Sequence, residues 1–387
     1  MLFELDKEIL AIQKSAKDFA TKVVLPRVNE DEKNHTFQHD LVKKMGELDF
    51  FGCPIPEIYG GNGVGFLAHA VVTEEISKVS GSLRAAFNMQ TMGSAREIYQ
   101  FGTEEQKKRY IPGLMSADTL GCICITEGDA GSDVGNIKTT AVKDGSDYII
   151  NGSKNWITYA QVADLGIVYA YTDQGAKYKG LSVFIVDMHS KGVGTGDTAE
   201  KMGWCACPTG EVYFDGVRVP SENLLGGMEE TGFKCVMSGL NNTRLTAAAG
   251  ALGVCQGLID ESVKYAKTRI QFGQAVGKFQ MIQEELARMK VETEAARLLI
   301  YKAAAQKDAG YLENVVETVM CKYYAADVAS RVADSALRIH GAYGYSKEYP
   351  VERMFRDAKL YQIIEGSANI SKMIIGTDML GYRKANR

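Results

Sequence analysis

The chain has 387 residues, 45% of them hydrophobic, and its 44 lysines and arginines against 48 acids leave a net charge of −4. That length supplies core for two or three domains, and a mildly acidic chain with scattered cations excludes a nucleic-acid or anionic-membrane footprint. No run of 18 apolar residues exists and the opening Met1-Leu-Phe-Glu-Leu-Asp-Lys-Glu8 turns acidic too early for a signal or transit peptide, so a cytoplasmic protein without an integral membrane segment is expected.

Residues 1–120 read almost wholly as helix, with apolar positions recurring at three and four in Ile9 to Phe19 and in Ala70 to Ile76. From 121 to 230 the texture changes to short β-branched and aromatic runs between turn residues: Leu120–Thr126, Tyr148–Gly152, Leu165–Thr172, Leu181–Asp187 and Glu211–Val219. In the region 231 to 387 the helical period returns after Gly239, in segments near 244–270, 281–309, 314–340 and 369–380, with Gly310 and Gly341 as stops. The expected fold is α+β and multidomain: an N-terminal helical domain, a central barrel-like β domain and a C-terminal four-helix bundle. Alanine-rich helices such as Ala296–Ala305 have small residues on several faces, which suits packing against a second subunit.

Common chemical motifs are absent. Gly60-Gly-Asn-Gly63 and Gly192-Val-Gly-Thr-Gly196 do not form a dinucleotide fingerprint and read as loops. There is no Walker loop, no Gly-x-Ser-x-Gly elbow and no histidine pair at metal spacing, and His340 reads as structural, beside a helix end. The eight cysteines include Cys122/Cys124 and Cys205/Cys207, neither spaced for zinc, and read as small buried hydrophobes. No metal is expected.

What remains is an ordered set of blocks: Cys122-Ile-Cys-Ile-Thr-Glu-Gly-Asp-Ala-Gly-Ser-Asp133, Asn151-Gly-Ser-Lys-Asn-Trp-Ile-Thr158, Asn242-Thr-Arg244, Arg269-Ile-Gln-Phe-Gly273, Gly341-Ala-Tyr-Gly344, Glu348-Tyr-Pro-Val-Glu352, Arg356-Asp357 and Glu365-Gly-Ser367. In order and spacing this resembles the acyl-CoA dehydrogenase family along essentially the whole chain. The resemblance implies FAD as cofactor, an acyl-CoA substrate, electron-transfer flavoprotein as acceptor and a homotetramer.

An α,β-dehydrogenation removes a weakly acidic proton beside the thioester carbonyl while a hydride leaves the β-carbon for the flavin, so it needs a base and an electron sink. Glu365 falls at the family's base position, and a carboxylate among Ile363, Ile364 and the acyl chain is poorly solvated once water is expelled. Some members carry the base at the position of Thr243, which has no carboxylate to offer. The resemblance places Ile123, Ile125, Thr126, Trp156 and Thr158 at the isoalloxazine, Ser132 at the cofactor and the CoA moiety, and Asn242, Arg244 and Gly366 at the substrate, Arg244 with its nucleotide portion. It places Arg269, Phe272 and Gln280 at the FAD diphosphate and adenine side, with Arg338, Gly341 and Ala342 arriving from the neighbouring subunit and Ser367 and Asn369 completing the cofactor set. The chain departs from the family pattern at Gly128, usually proline, at Ser367, usually threonine, and at Arg338, usually glutamine.

Arg84, in Ser80-Gly-Ser-Leu-Arg-Ala-Ala-Phe-Asn-Met-Gln90, either pairs with a protein acid or receives a substrate carboxylate. It aligns with the arginine that grips the distal carboxylate in glutaryl-CoA dehydrogenases. Decarboxylating members have a tyrosine before the base and an acid seven residues before the arginine, where this chain has Ile364 and Ser77. The run Glu365-Gly-Ser-Ala-Asn-Ile370, Pro208 to Glu211 and the closing Arg383-Lys-Ala-Asn-Arg387 resemble the nondecarboxylating enzymes of anaerobic bacteria, so glutaryl-CoA to glutaconyl-CoA is the expected reaction. Alicyclic or short straight-chain acyl-CoA substrates, oxidase chemistry and an inactive helical scaffold stay open.

Overall fold

The computed structural model describes residues 4–382; Arg383 to Arg387, which contributed to the resemblance, lie outside the described residues. The first helix, Lys7–Phe19, is capped by Asp6, whose carboxylate accepts the Ile9 N–H at 2.8 Å, and buries Ile9, Ala16 and Phe19. Its face lies on the helix Phe66–Ser77, which is buried at every position but Leu67 and also packs on Gly232–Thr268 and Gln280–Asp308. An apolar helix enclosed on all sides has no water for its first N–H groups. Asp308 supplies the cap from a distant helix end, accepting the Phe66 and Leu67 N–H groups at 2.6 and 3.0 Å.

Seven strands form the central sheet: β1 (Gly121–Cys124), β2 (Thr140–Asp144), β3 (Asp147–Thr158), β4 (Leu165–Tyr171), β5 (Leu181–Asp187), β6 (Val193–Thr195) and β7 (Thr209–Pro220). Their order is β1-β4-β2-β3-β7-β6 with β5 on β4, and β1 and β2 run parallel to β4 while the remaining pairs are antiparallel. The result is a curled mixed sheet between two helical regions. Strand β3 slips register against β7 between Lys154 and Ile157, and in that bulge Trp156 has φ +59°.

After the sheet come Gly232–Thr268, Gln280–Asp308, Val315–His340, Pro350–Leu360 and Ala368–Met379. The first starts well ahead of the expected 244, because Gly239, read as a break, lies inside it with room for a Cβ against Glu97. Pro350–Leu360 was not foreseen as a helix, although proline at its first position is a helix-start signal. Val193–Thr195 corrects the loop reading of Gly192–Gly196: it is an edge strand on β7. His340 closes its helix, buried against Tyr265 and Tyr349, as expected of a structural residue. Seven of the eight cysteines are buried, Cys205 is half-buried, and the described residues hold no cluster suited to a metal. No described helix is long and apolar enough to cross a membrane.

Glycines let the helices close. A Cβ on Gly253 would stand 2.3 Å from the Glu74 carbonyl oxygen, so the Phe66–Ser77 and Gly232–Thr268 backbones meet only because that atom is missing. Gly253→Ala is expected to cost about 1–3 kcal/mol of stability through forced separation of these helices, read as a lower midpoint in urea unfolding.

Candidate active site

The helix Pro350–Leu360 unwinds through Tyr361 and Ile364 into a turn where Glu365 has φ +54° and Gly366 has φ +82°. A glutamate in the left-handed region costs on the order of 1 kcal/mol and persists only if its surroundings hold it. Two buried cations do so. Arg244 donates from Nε to the Glu365 carbonyl at 3.2 Å, and Lys322 donates from Nζ to the Gly366 carbonyl at 2.6 Å. Ser367 then caps Ala368–Met379 by accepting the Ile370 N–H at 3.4 Å, so the Gly-Ser turn opens a helix as expected. The glycine is required twice: by its φ and by Arg244 Nη2, 3.2 Å from where a Cβ would sit. Burial pushes the Lys322 ammonium down to about 8, with the nearby Glu365 charge opposing. Burial likewise lowers Arg244, again against Glu365.

The Glu365 carboxylate is held at both oxygens. Asn88 donates from Nδ2 to Oε1 at 2.7 Å and the Thr243 hydroxyl donates to Oε2. Asn88 lies in the widened π-helical stretch Phe87–Ala95, directly after the helix Gly81–Ala86 that carries Arg84. Arg84 is fully buried, its guanidinium 5.4 Å from the Trp204 ring centroid and 5.6 Å from that of Tyr361. Among the described residues its one hydrogen bond is long, 3.4 Å from Nη2 to Asn88 Oδ1, and Nε and Nη1 have no partner. No ion pair with a protein acid is formed among the described residues, which removes the first of the two sequence readings. Burial pushes its guanidinium below the usual arginine range.

Three elements pack around this guanidinium. Gly250 lets Arg84 lie against the Gly232–Thr268 backbone, since a Cβ there would stand 2.6 Å from Arg84 Nε and 2.7 Å from Tyr361 Oη. Ser77 donates its hydroxyl to the Gly250 carbonyl at 2.7 Å and lies 3.1 Å from Tyr361 Oη. The Trp204 loop is pinned by two acids: Asp357 accepts the Trp204 N–H at 2.8 Å, and Glu32 accepts those of Cys205 and Ala206 at 2.7 and 3.2 Å.

A second group gathers on the sheet. The Asn155 N–H bonds the Thr126 carbonyl at 2.8 Å and buried Lys154 reaches the Ile125 carbonyl at 3.2 Å, so Ile123, Ile125 and Thr126 lie beside Trp156 and Thr158. Trp156 leaves 60% of its surface exposed, and the hydroxyls of Thr126 and Thr158 have no partner among the described residues. An open indole between two unengaged hydroxyls suits a flat heteroaromatic ring with a polar edge. Ser132 is exposed in the loop after β1, and Asn242 is buried, accepting from Lys307 at 3.4 Å.

A third group stands apart. Arg269 lies over Tyr343 at 5.2 Å, Phe272 is 93% exposed at a hairpin tip, Gln280 begins its helix in solvent, and Arg338 pairs with Glu285 and Asp334, each at 3.0 Å. Gly341 and Ala342 are exposed just beyond, and Asn369 is exposed on the last helix. A half-buried guanidinium over Tyr343, an exposed one at Arg338 and the open Phe272 ring suit a diphosphate and an adenine, so the residues present fit FAD. No hydrogen bond among the described residues joins this group to the Glu365 turn.

The chain matches three family models: acyl-CoA dehydrogenase N-terminal domain over residues 6–118, middle domain over 122–217 and C-terminal domain over 230–380. The chain belongs to the acyl-CoA dehydrogenase family. It is an FAD-dependent oxidoreductase acting on a CH–CH bond of an acyl-CoA. Among curated relatives it is 49% identical to a glutaryl-CoA dehydrogenase of Desulfococcus multivorans, with both chains covered in full. The solved glutaryl-coenzyme A dehydrogenase–glutaryl-CoA complex superposes with a TM-score of 0.97 at 48% identity, covering 100% of this chain and 98% of the other. An acyl-CoA dehydrogenase of Bacillus subtilis is 40% identical over 97% of this chain and 98% of its own, and a structure described as an electron transferring flavoprotein of Acidaminococcus fermentans has a TM-score of 0.96 at 39% identity over 99% and 100%.

Sequence reasoning missed Asn88, Lys322, Trp204 and Tyr361, and read Thr243 only as a residue unable to be the base. Asn88 was findable, being four residues after Arg84 on one helical face. Lys322 and Trp204 carry no local signal of what they meet. Lys322 yields a pH test. Its folded value near 8 lies below the unfolded 10.5, so the unfolded chain binds more protons between the two and the lysine's share of stability rises with pH there. Lys322→Met is expected to lose stability relative to the parent between pH 8 and 10.5, measured by denaturant midpoints across that range.

Proposed function

We propose that this acyl-CoA dehydrogenase oxidises glutaryl-CoA to glutaconyl-CoA and retains the distal carboxyl group. The observation that carries the reading is Arg84, a fully buried guanidinium with two unpaired donor atoms and no ion pair to a protein acid among the described residues. An uncompensated buried charge is costly, and a planar fork of donors is suited to a carboxylate arriving with the substrate. The resemblance to glutaryl-CoA dehydrogenases supports the same choice. Where decarboxylating members have an acid and a tyrosine, Ser77 spends its hydroxyl on the Gly250 carbonyl and Ile364 offers no polar atom.

In this reading Glu365 takes the proton from the carbon next to the thioester. FAD, when bound, supplies the hydride acceptor. Thr126, Thr158, Trp156, Ile123 and Ile125 would hold its ring, the two threonines through their free hydroxyls. Arg269, Phe272 and Gln280 would hold the diphosphate and adenine side, Arg338, Gly341 and Ala342 would reach the cofactor of a neighbouring subunit, and Ser367 and Asn369 would complete the set from beside the Glu365 turn. That no hydrogen bond among the described residues joins the Arg338 segment to the Glu365 turn supports a homotetramer in which one subunit lends that segment to its neighbour. Ser132, Asn242 and Gly366 line the CoA path. Arg244, buried under the turn, holds the base rather than the nucleotide portion. Electron-transfer flavoprotein is the proposed acceptor, supported by the likeness to the Acidaminococcus structure.

An anaerobic titration tests this. Glutaryl-CoA is expected to bleach the flavin with glutaconyl-CoA as product by mass, and crotonyl-CoA with CO2, or bleaching only by cyclohexanecarboxyl-CoA or a straight-chain thioester, would overturn it. Glu365→Gln is expected to slow flavin reduction by roughly 10²–10⁴-fold. Arg84→Met is expected to weaken glutaryl-CoA binding by about 10–100-fold while sparing butyryl-CoA.

A further inference from the structure

Asn88 is wedged between the two groups on which the proposed reaction depends. Its amide has one acceptor end and one donor end, and the neighbours decide which goes where: the carbonyl meets the Arg84 guanidinium at 3.4 Å and the NH2 meets Glu365 Oε1 at 2.7 Å. The side chain is 3% exposed, so water cannot substitute for either contact. With Thr243 on the other oxygen, the base of the free enzyme carries a neutral donor at each end. A donor bonded to a carboxylate oxygen favours the ionised form, so a proton is taken up more readily once that donor is withdrawn.

The two donors are not alike. Thr243 belongs to the long Gly232–Thr268 helix and has no hydrogen bond to Arg84, whereas Asn88 bonds to both Arg84 and Glu365. We infer that Asn88 couples occupancy of the Arg84 chamber to release of the base, an inference that rests on the reading that a substrate carboxylate meets Arg84. A long contact from the Arg84 guanidinium to a neutral amide oxygen yields readily to a carboxylate, which brings the opposite charge and can meet the planar donors at two oxygens. The same anion offers the Asn88 NH2 a second acceptor one helical turn from Arg84. Once the amide turns to it, Glu365 Oε1 is freed for the proton. An acyl chain without a distal carboxylate leaves Asn88 on the base. Selection then falls on the rate of the chemical step as well as on affinity.

Anaerobic stopped-flow measurement of flavin reduction, with glutaryl-CoA and butyryl-CoA, separates this role from a structural one. In Asn88→Ala the limiting rate constant with butyryl-CoA is expected to rise roughly three- to tenfold, while that with glutaryl-CoA holds and the preference between them shrinks by the same factor. Asn88→Ser, too short to span both neighbours, is expected to behave alike and serves if the alanine protein fails to hold flavin. Equal slowing with both substrates would make Asn88 scaffolding, and a weaker glutaryl-CoA Kd with an unchanged rate ratio would make it a plain carboxylate contact; either overturns the coupling. A parent enzyme not reduced by glutaryl-CoA would sink the substrate reading instead, and an unchanged butyryl-CoA rate in Asn88→Ala would sink the coupling by itself.

Discussion

Two consecutive carbonyl groups, those of Glu365 and Gly366, each accept from a buried cation, and the active site depends on that pair of bonds. A left-handed glutamate stores strain, and the short turn around it has no ladder of its own. Arg244 reaches it from one long helix and Lys322 from another, so the base is located by the packing of the bundle rather than by its own segment. Charge-assisted bonds in a site largely shut from water are strong enough to hold such a turn.

The chamber above the turn is built by close backbone approach. Gly250 and Gly253 remove the Cβ atoms that would keep Arg84 and the Phe66–Ser77 helix away from Gly232–Thr268. Trp204 comes from the connection between β6 and β7 and closes the far side, pinned by Glu32 from the first helical region and Asp357 from the last. All three regions of the chain therefore meet around one guanidinium. That convergence explains how a charge can be buried without a permanent partner: the cost is spread over a large, well-packed core, and cation–π contact with Trp204 and Tyr361 offsets part of it.

Glu365, proposed as the base, and Arg84, proposed to meet a distal carboxylate, stood out because each is a single polar residue in an apolar setting, Glu365 after two isoleucines and Arg84 among small residues; their proposed roles came from the family resemblance. The strands β3, β4, β5 and β7 were legible through β-branched runs between turn residues. Strand β6 was not, since a three-residue edge strand with a central glycine has neither length nor alternation. The start of Gly232–Thr268 was misplaced because Gly239 reads as a breaker when its neighbours in space are unknown.

Sequence by itself determined the three-part organisation, the family and the cofactor class, and singled out Glu365 as the carboxylate to propose as base, because periodicity, block order and residue chemistry are local properties that survive without coordinates. Tertiary structure alone decided what those residues touch. That Asn88 bridges Arg84 to Glu365, that Thr243 donates to the base it cannot replace, and that Lys322 lies beneath Gly366 are contacts between segments up to 277 residues apart. No local pattern encodes such distances; they follow from how closely the helices pack, which the missing Cβ atoms of a few glycines permit.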